Sequence, residues 1–90
     1  MNKVIITVVG KDGVGIIAKI CSYLADHGIN NLDISQTIVG GYFNMMMVTD
    51  PSAATVKTAQ GADDLGKLGG DMGLSIRVMN EDIFNTMHRI

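Results

Sequence analysis

The chain opens with a strand pattern and then changes to helical spacing. Residues 4–9 form a short apolar run rich in β-branched side chains, which predicts a strand buried on at least one face. A glycine-dense turn follows over residues 10–15, and apolar positions then recur at helical intervals up to a stop signal at Gly28. Those positions are Ile17, Ile20, Cys21 and Leu24.

Two alternating segments come next and are joined by paired glycines. Residues 32–39 alternate apolar and polar side chains, which predicts a second strand. Gly40 and Gly41 are a two-residue hairpin signal, and residues 42–49 return as a third strand. This third strand is apolar on both faces, so we expect it to lie centrally in a sheet that is covered on both sides.

The remainder predicts a weak helix, a fourth strand and a last short helix. Asp50 followed by Pro51 is a helix-start signal. Glycines interrupt the helix that follows, so we expect it to be the least stable element and to end at Gly69–Gly70. Residues 74–78 alternate as a strand, and Asn80 starts the final helix.

This order of elements predicts an α+β fold of the ferredoxin-like type. A βαββαβ chain with right-handed crossovers places its two main helices on one face of an antiparallel sheet. The short C-terminal helix, a partner subunit, or both are then expected to cover the opposite face. We expect residues 1–90 to form a single domain.

Composition indicates a small domain that associates with itself. The chain has 90 residues, 47% of them hydrophobic and 18% charged, which excludes a disordered tail. A chain this short buries barely enough apolar surface alone, so we expect a homo-oligomer, in the simplest case a homodimer. The formal net charge of -2, with no basic run, argues against nucleic acid as a partner.

The sequence gives no sign of export, of a membrane span or of catalysis. A single cysteine cannot form an internal disulfide, and neither a signal peptide nor a long apolar stretch is present, so the expected location is the cytoplasm. Cys21 lies on an apolar helical stripe and is expected to be a packing thiol. His27 and His88 form no metal-ligand pattern with it. No catalytic constellation or cofactor lysine is apparent, so we predict no enzyme, no cofactor and no metal.

The glycine turn is the most informative local feature. Its spacing, G-x-x-G-x-G, fits neither a phosphate-binding P-loop nor a dinucleotide fingerprint. A helix that follows such a turn exposes backbone N–H groups that can hold a carboxylate. Gly13 and Gly15 permit close approach, and Asp12 can either cap the helix or accept a hydrogen bond from an ammonium group. A purely structural turn is the alternative.

A second polar feature stands where the second strand begins. Asn30 and Asn31 follow Gly28, and an asparagine amide offers both a donor and an acceptor to a polar ligand. Asparagine also tolerates left-handed backbone, so either residue can equally be a turn residue.

With these residues in view, the chain resembles the ACT domain family. The similarity is strongest in Asp12-x-x-Gly15-Ile16-Ile17 and in Gly28-Ile29-Asn30, and in order of elements it extends over nearly the whole chain. Further segments, Gln36-Thr37, Tyr42-Phe43-x-Met45-Met46 and Ile83-Phe84-Asn85-x-Met87, are similar to a subgroup of small stand-alone bacterial and archaeal ACT proteins. That subgroup is itself similar to half of the regulators of the glycine-cleavage repressor type.

The resemblance implies a regulatory domain that binds an amino acid or a similar small metabolite between paired domains. In the family, the turn after the first strand of one domain and the start of the second strand of its neighbour line the site. The implied residues are Asp12, Gly13, Val14, Gly15 and Ile16 of the turn, with Asn30 and Asn31 of the second strand. The family often has proline where this chain has Val14.

Two other functions remain open. The domain can be a structural or protein-interaction module that dimerises through strand edges or the C-terminal helix and binds no ligand. RNA-recognition motifs share the βαββαβ order, and Gly41-Tyr42-Phe43 faintly resembles their third strand, but the basic residue and the further aromatic residues of that signature are missing.

Overall fold

A four-stranded antiparallel sheet with two helices on one face is the framework of the molecule. The computed structural model describes residues 3–11 and 15–87. Along the chain the elements are β1 (Val4–Gly10), α1 (Ile16–Asp26), β2 (Asn30–Val39), β3 (Tyr42–Asp50), α2 (Thr58–Asp71), β4 (Ser75–Asn80) and α3 (Glu81–Met87). The strand order across the sheet is β2-β3-β1-β4. The predicted ferredoxin-like α+β fold is therefore confirmed.

The core lies between one face of the sheet and the apolar stripes of α1 and α2. Alternate residues of β1 and β3 point into it, and α1 contributes side chains at intervals of one turn. The buried apolar members are Val4, Ile6, Val8, Ile16, Ile20, Leu24, Met45, Met47, Leu65 and Leu74. Fully burying one large side chain of this kind stabilises a fold by about 1.5–3 kcal/mol. Thr49 is also fully buried, and its hydroxyl donates to the Val4 carbonyl oxygen at 2.8 Å, which satisfies the polar group.

Strand β2 lies outside this core. It is an edge strand, and all ten of its residues are exposed. Its register with β3 sets Ile34 opposite Met47 and Ile38 opposite Phe43, so both isoleucines point to the same side of the sheet as the core. Their side chains are nevertheless 40% and 77% exposed, because neither helix covers the edge of the sheet.

The face of the sheet opposite α1 and α2 is only partly covered. Ile5 lies on this face and is 5% exposed, whereas Val9 and Met46 are 45% and 37% exposed. Within the described residues, helix α3 contacts β1 and β4, while Met46 of β3 stays partly exposed. The described residues of one chain thus leave Met46 partly exposed, and cover of this face by a partner subunit stays a prediction.

Helix α2 begins later and ends later than the sequence suggested. The Asp50 side chain accepts the backbone N–H of Ser52 at 2.9 Å, and this local turn competes with helix formation. The chain from residue 51 to residue 57 is irregular, and the helix begins at Thr58. At its other end the helix continues through Gly69 and Gly70 to Asp71.

Gly69 lies within α2 because the helix packs closely against β4 there. A Cβ atom added to Gly69 would lie 2.6 Å from Cγ1 of Ile76 and 3.0 Å from the carbonyl oxygen of Leu74. The absence of a side chain therefore serves helix-to-strand contact rather than helix termination. The positive φ that accompanies the end of the helix is at Gly73.

Other predicted signals are confirmed. Gly28, just after the end of α1, has a φ of 70°, and Gly40 and Gly41 form the hairpin with φ values of 59° and 83°. The Asn80 side chain accepts the backbone N–H of Ile83 at 2.8 Å and so caps α3. Residues 88–90, which complete the last predicted helix, lie outside the described residues.

A polar cluster ties the C-terminal part of α1 to α2. The Tyr23 hydroxyl donates to Oδ2 of Asp64 at 2.6 Å, and the Gln60 amide donates to Oδ1 at 2.8 Å. The Tyr23 ring stacks on His27 at a centroid distance of 4.1 Å, and the backbone N–H of Thr55 donates to the His27 carbonyl oxygen at 2.9 Å. These contacts fix the end of α1 and hence the point at which β2 begins.

The same cluster shifts the pKa values of its two acids in opposite directions. Burial raises the pKa of Tyr23 to about 12, and the hydrogen bond to Asp64 and the negative charge of that residue act in the same direction. The hydrogen bond from Tyr23, followed by the one from Gln60, holds the pKa of Asp64 below its ordinary value. The folded protein thus favours a neutral phenol beside an ionised carboxylate.

Two alanine substitutions in α2 should change stability in opposite directions. Gly66 has no atom within 4 Å of an added Cβ, so Gly66→Ala should stabilise the fold by about 0.5–1 kcal/mol through helix propensity. Gly69→Ala should destabilise it by about 1–3 kcal/mol because the new methyl group overpacks against Ile76. Thermal unfolding at one fixed protein concentration measures both. Shifts of the same sign would contradict this packing.

The phenol of Tyr23 should remain neutral at pH values where an exposed tyrosine ionises. Its folded-state pKa is raised from 10.0 to about 12, so the stability it contributes is fully present below pH 10 and is lost as the pH rises towards the folded-state value. Phenolate absorbance of the wild type minus that of Tyr23→Phe isolates this group from Tyr42. A Tyr23 phenolate at pH 10.5 in a protein that circular dichroism shows to be folded would refute the assignment.

Candidate functional site at the start of helix α1

Helix α1 begins without a side-chain cap. Gly15 is its N-cap residue, with a φ of 80°, and no side chain of the described residues caps the helix. The first backbone hydrogen bond runs from the N–H of Lys19 to the Gly15 carbonyl oxygen at 3.2 Å. The backbone N–H groups in the first turn therefore lack partners within the helix, at the end where the helix dipole is positive. Such a terminus can bind a carboxylate or another anion.

The space beside Gly15 is open. A Cβ atom added there would meet no atom of the described residues within 4 Å, and the positive φ is the reason for glycine at this position. The next residue, Ile16, is fully buried, and only its main chain faces the helix terminus. Of the predicted turn residues, Gly15 and Ile16 are thus placed at the site, whereas Asp12, Gly13 and Val14 lie outside the described residues.

Asn30 and Asn31 lie at the other end of the sheet. They are exposed and open β2, where they pair with Asp50 and Thr49 of β3. Strands β1 and β2 run parallel, because each is antiparallel to β3 between them. The asparagines are therefore level with the start of β1, and Gly15 lies beyond its end, about 20 Å away at ~3.3 Å per residue. One chain alone does not bring the two predicted halves of the site together.

The structure adds Gln36 to the polar residues near the site. Gln36 points to the same side of the sheet as Ile34 and Ile38, and it helps to line a shallow groove with Ile38 and Phe43. Phe43 pairs with Gly10 at the end of β1, so the groove lies at the same end of the sheet as Gly15. The sequence carried a signal for Gln36, because it is a polar amide at a position where the alternating pattern of β2 otherwise has apolar side chains.

Other kinds of site find no support in the described residues. Within residues 3–11 and 15–87, no group of three or more histidine, cysteine or acidic side chains could hold a metal ion. Cys21 is half-buried and packs against the core. None of the described helices is long and apolar enough to span a membrane.

The fold defines the class, an α+β domain of the ferredoxin-like type, and comparison with known families gives its identity. A model of the ACT domain family matches residues 2–79. The chain belongs to the ACT domain family, whose members are typically regulatory modules that bind small ligands.

Known proteins similar to this chain agree with that assignment. A UPF0237 protein of Bifidobacterium longum is 56% identical over 90 residues and is aligned over 100% of both chains. The solved structure of an ACT domain protein from Streptococcus pneumoniae has a TM-score of 0.79 and 36% identity, covering 92% of this chain and 93% of that one. A structure provisionally assigned as a glycine cleavage system transcriptional repressor shares the fold, with a TM-score of 0.71 and 23% identity over 88% of this chain and 45% of that protein.

Proposed function

We propose that the single domain of residues 1–90 binds an amino acid or a similar small metabolite at an interface between two copies and so regulates a partner protein. The observation that carries this proposal is the start of α1, which no side chain of the described residues caps and beside which they leave open space at Gly15. Membership of the ACT domain family supports it. The fold shared with the repressor-like protein also fits a regulatory role.

The chemistry of the turn suits the carboxylate of an amino acid. Its oxygens would accept hydrogen bonds from backbone N–H groups between Gly13 and the first turn of α1, where the helix dipole favours negative charge. The ammonium group would then contact Asp12 and either Asn30 or Asn31 of the partner subunit. Because backbone groups hold the carboxylate, the side-chain pockets around it would decide which amino acid binds.

A second copy is needed because the topology separates the two halves of the site. Strand β2 is an exposed edge that runs parallel to β1. A second chain that runs antiparallel to this edge would bring the start of its own β2 to the end of the sheet where Gly15 lies. The asparagines that one chain holds about 20 Å away would then be supplied by its neighbour.

Ligand binding between copies gives a regulatory output. A ligand that contacts both chains binds the pair more tightly than either chain alone, so it shifts the equilibrium towards that pair. The domain would pass this change to another polypeptide. The single cysteine, which cannot form an internal disulfide, supports work in the reducing cytoplasm.

One alternative function also has an observation in its favour. The exposed apolar side chains on β2, with Ile38 and Val39 at 77% and 64% exposure, would suit an interaction domain that dimerises and binds no metabolite. Ligand binding separates the two functions, since only the first predicts stabilisation by a metabolite.

An amino-acid panel should contain at least one compound that stabilises the protein. A ligand at a hundred times its dissociation constant adds about 2.7 kcal/mol, which raises the melting temperature of a domain of this size by about ten degrees or more. Thermal unfolding with each standard amino acid at millimolar concentration measures the shift. The absence of any shift across the panel would favour the interaction domain.

Gly15→Ala should remove most of that ligand-induced shift, and Gly73→Ala should retain it. The two glycines have φ values of 80° and 73°, and neither has an atom within 4 Å of an added Cβ. Each substitution should therefore cost a similar ~1–2 kcal/mol of backbone strain, but only the Gly15 methyl group occupies the space beside the start of α1. Equal retention of the shift in both variants would refute binding at this turn.

A further inference from the structure

The face of the sheet opposite α1 and α2 carries a hollow of about 390 Å³, which is large enough for a small molecule. This outer hollow lies towards the end of β1. Helix α3 begins at the other end of β1, where the backbone N–H of Glu81 donates to the Lys3 carbonyl oxygen at 2.8 Å. Exposure rises along the same face of β1, from 5% at Ile5 to 45% at Val9. The outer hollow is therefore a part of this face that the described residues leave uncovered.

The strand registers place two rows of side chains across the hollow and its rim. Each row takes one residue from every strand and runs in the order β4, β1, β3, β2. The rows are Arg77, Thr7, Met46 and Ser35, and then Ser75, Val9, Asn44 and Thr37. All members except Met46 and Val9 have polar side chains, and only Arg77 is charged. The surface thus offers several hydrogen-bonding groups, one positive charge and a small apolar area.

The guanidinium group of Arg77 has no partner among the described residues. Arg77 is the only basic residue of the four strands and is exposed, and no hydrogen bond or ion pair joins its side chain to the described part of the chain. The acid of β2 on the same face is Asp33, which lies three strand spacings away, about 14 Å. Glu81 and Asp82 follow the end of β4 at Asn80, about 10 Å from Arg77 along the strand. The positive charge is therefore available to a bound anion.

Two half-buried polar side chains beside Arg77 also lack partners. Thr7 lies directly opposite Arg77, and Asn44 lies diagonal to Thr7 across β1 and β3. Neither side chain makes a hydrogen bond within the described residues. Partial burial removes some of the water that would otherwise solvate a polar group, so such a group gains from a hydrogen-bonding partner. The oxygen atoms of a ligand held by Arg77 can supply that partner.

We propose that the outer hollow binds a small organic anion, with a carboxylate or phosphate group on a flat apolar body. The planar guanidinium of Arg77 holds the charged group through paired hydrogen bonds, and the Thr7 hydroxyl donates from the adjacent strand. The apolar body rests on Val9 and Met46, which are 45% and 37% exposed and lie diagonal to each other, within reach of one ligand. The flexible thioether of Met46 adapts to a flat ring.

This outer site is separate from the site of the proposed function. It opens on the face of the sheet opposite α1, whereas the first turn of α1 lies on the helical side. Arg77 also lies on an edge strand, where a basic side chain hinders pairing with another sheet. That protective role alone would give no selectivity for anions and no dependence of ligand binding on Arg77.

Benzoate, phenyl phosphate and benzamide test the outer site, because all three have a flat ring and only the first two are anions. Titrated at millimolar concentration into isotope-labelled protein, at least one anion should shift the NMR amide signals of Thr7, Asn44 and Arg77, and neutral benzamide should not. Arg77→Gln should weaken anion binding about tenfold or more, because charge-assisted hydrogen bonds are lost. Lys67→Gln is the matched control: it removes one exposed positive charge from α2 and should bind like the wild type. Circular dichroism checks the fold of both variants.

Each outcome decides the proposal. Binding of benzoate alone or of phenyl phosphate alone supports it and identifies the charged group as a carboxylate or a phosphate. Wild-type protein that binds neither anion overturns it, and so does benzamide binding as tight as that of benzoate. Equal loss of binding in Arg77→Gln and Lys67→Gln would indicate an effect of net charge and would overturn it as well.

The two sites can be told apart. Signal shifts centred on Gly15 instead of the outer face would overturn the outer site and leave the start of α1 as the anion site. A protein that binds the anions at Arg77 but that no amino acid stabilises retains the outer site and refutes the proposed function. In the amino-acid panel, Arg77→Gln should keep the stabilisation measured for the wild type.

Discussion

The structure depends on one packing constraint: two helices are too narrow to cover all four strands of the sheet. Helices α1 and α2 pack on β1, β3 and β4, and the core closes around the alternating residues Val4, Ile6 and Val8 of β1. The helices leave the residues of β2 exposed, although Ile34 and Ile38 point to the side on which the helices lie. Apolar surface that is exposed on an unpaired edge favours association. The same packing that makes the core therefore leaves one edge of the sheet incomplete.

The strand order also separates the two predicted halves of the ligand site. Because β1 and β2 run in the same direction, the start of α1 and the start of β2 lie at opposite ends of one chain. A rearrangement within the chain that joined them would have to break the pairing of β3 with its neighbours. An antiparallel second copy joins them without any change of fold. If the two predicted halves form one site, strand order requires that a second chain supply one of them.

The sequence predicted most of the fold because its strong signals are local. β-Branched runs, the Gly40–Gly41 hairpin and the Asn80 cap act over a few residues, and each is where the pattern placed it. The start of α2 was wrong because the turn that Asp50 makes with Ser52 uses the residues that also resemble a helix start. The exposure of Met46 and of β2 could not be predicted. An apolar strand has the same pattern whether its own chain or another chain covers it.

The candidate site was less predictable for a related reason. Backbone N–H groups bind an anion whatever side chains they carry, so only the glycines and Asp12 of the turn indicated the chemistry by residue type. Alternation along β2 already placed Gln36 on the face of Ile34 and Ile38, but only the structure shows that it lines a groove with Phe43 at the end of the sheet where Gly15 lies. A ligand that bound between two copies would also link its own binding to their association. If a metabolite strengthens the pairing of two copies by some factor, pairing strengthens the binding of that metabolite by the same factor. A domain of this size can thus act as a sensor without a change in its own fold, since assembly and binding report on each other.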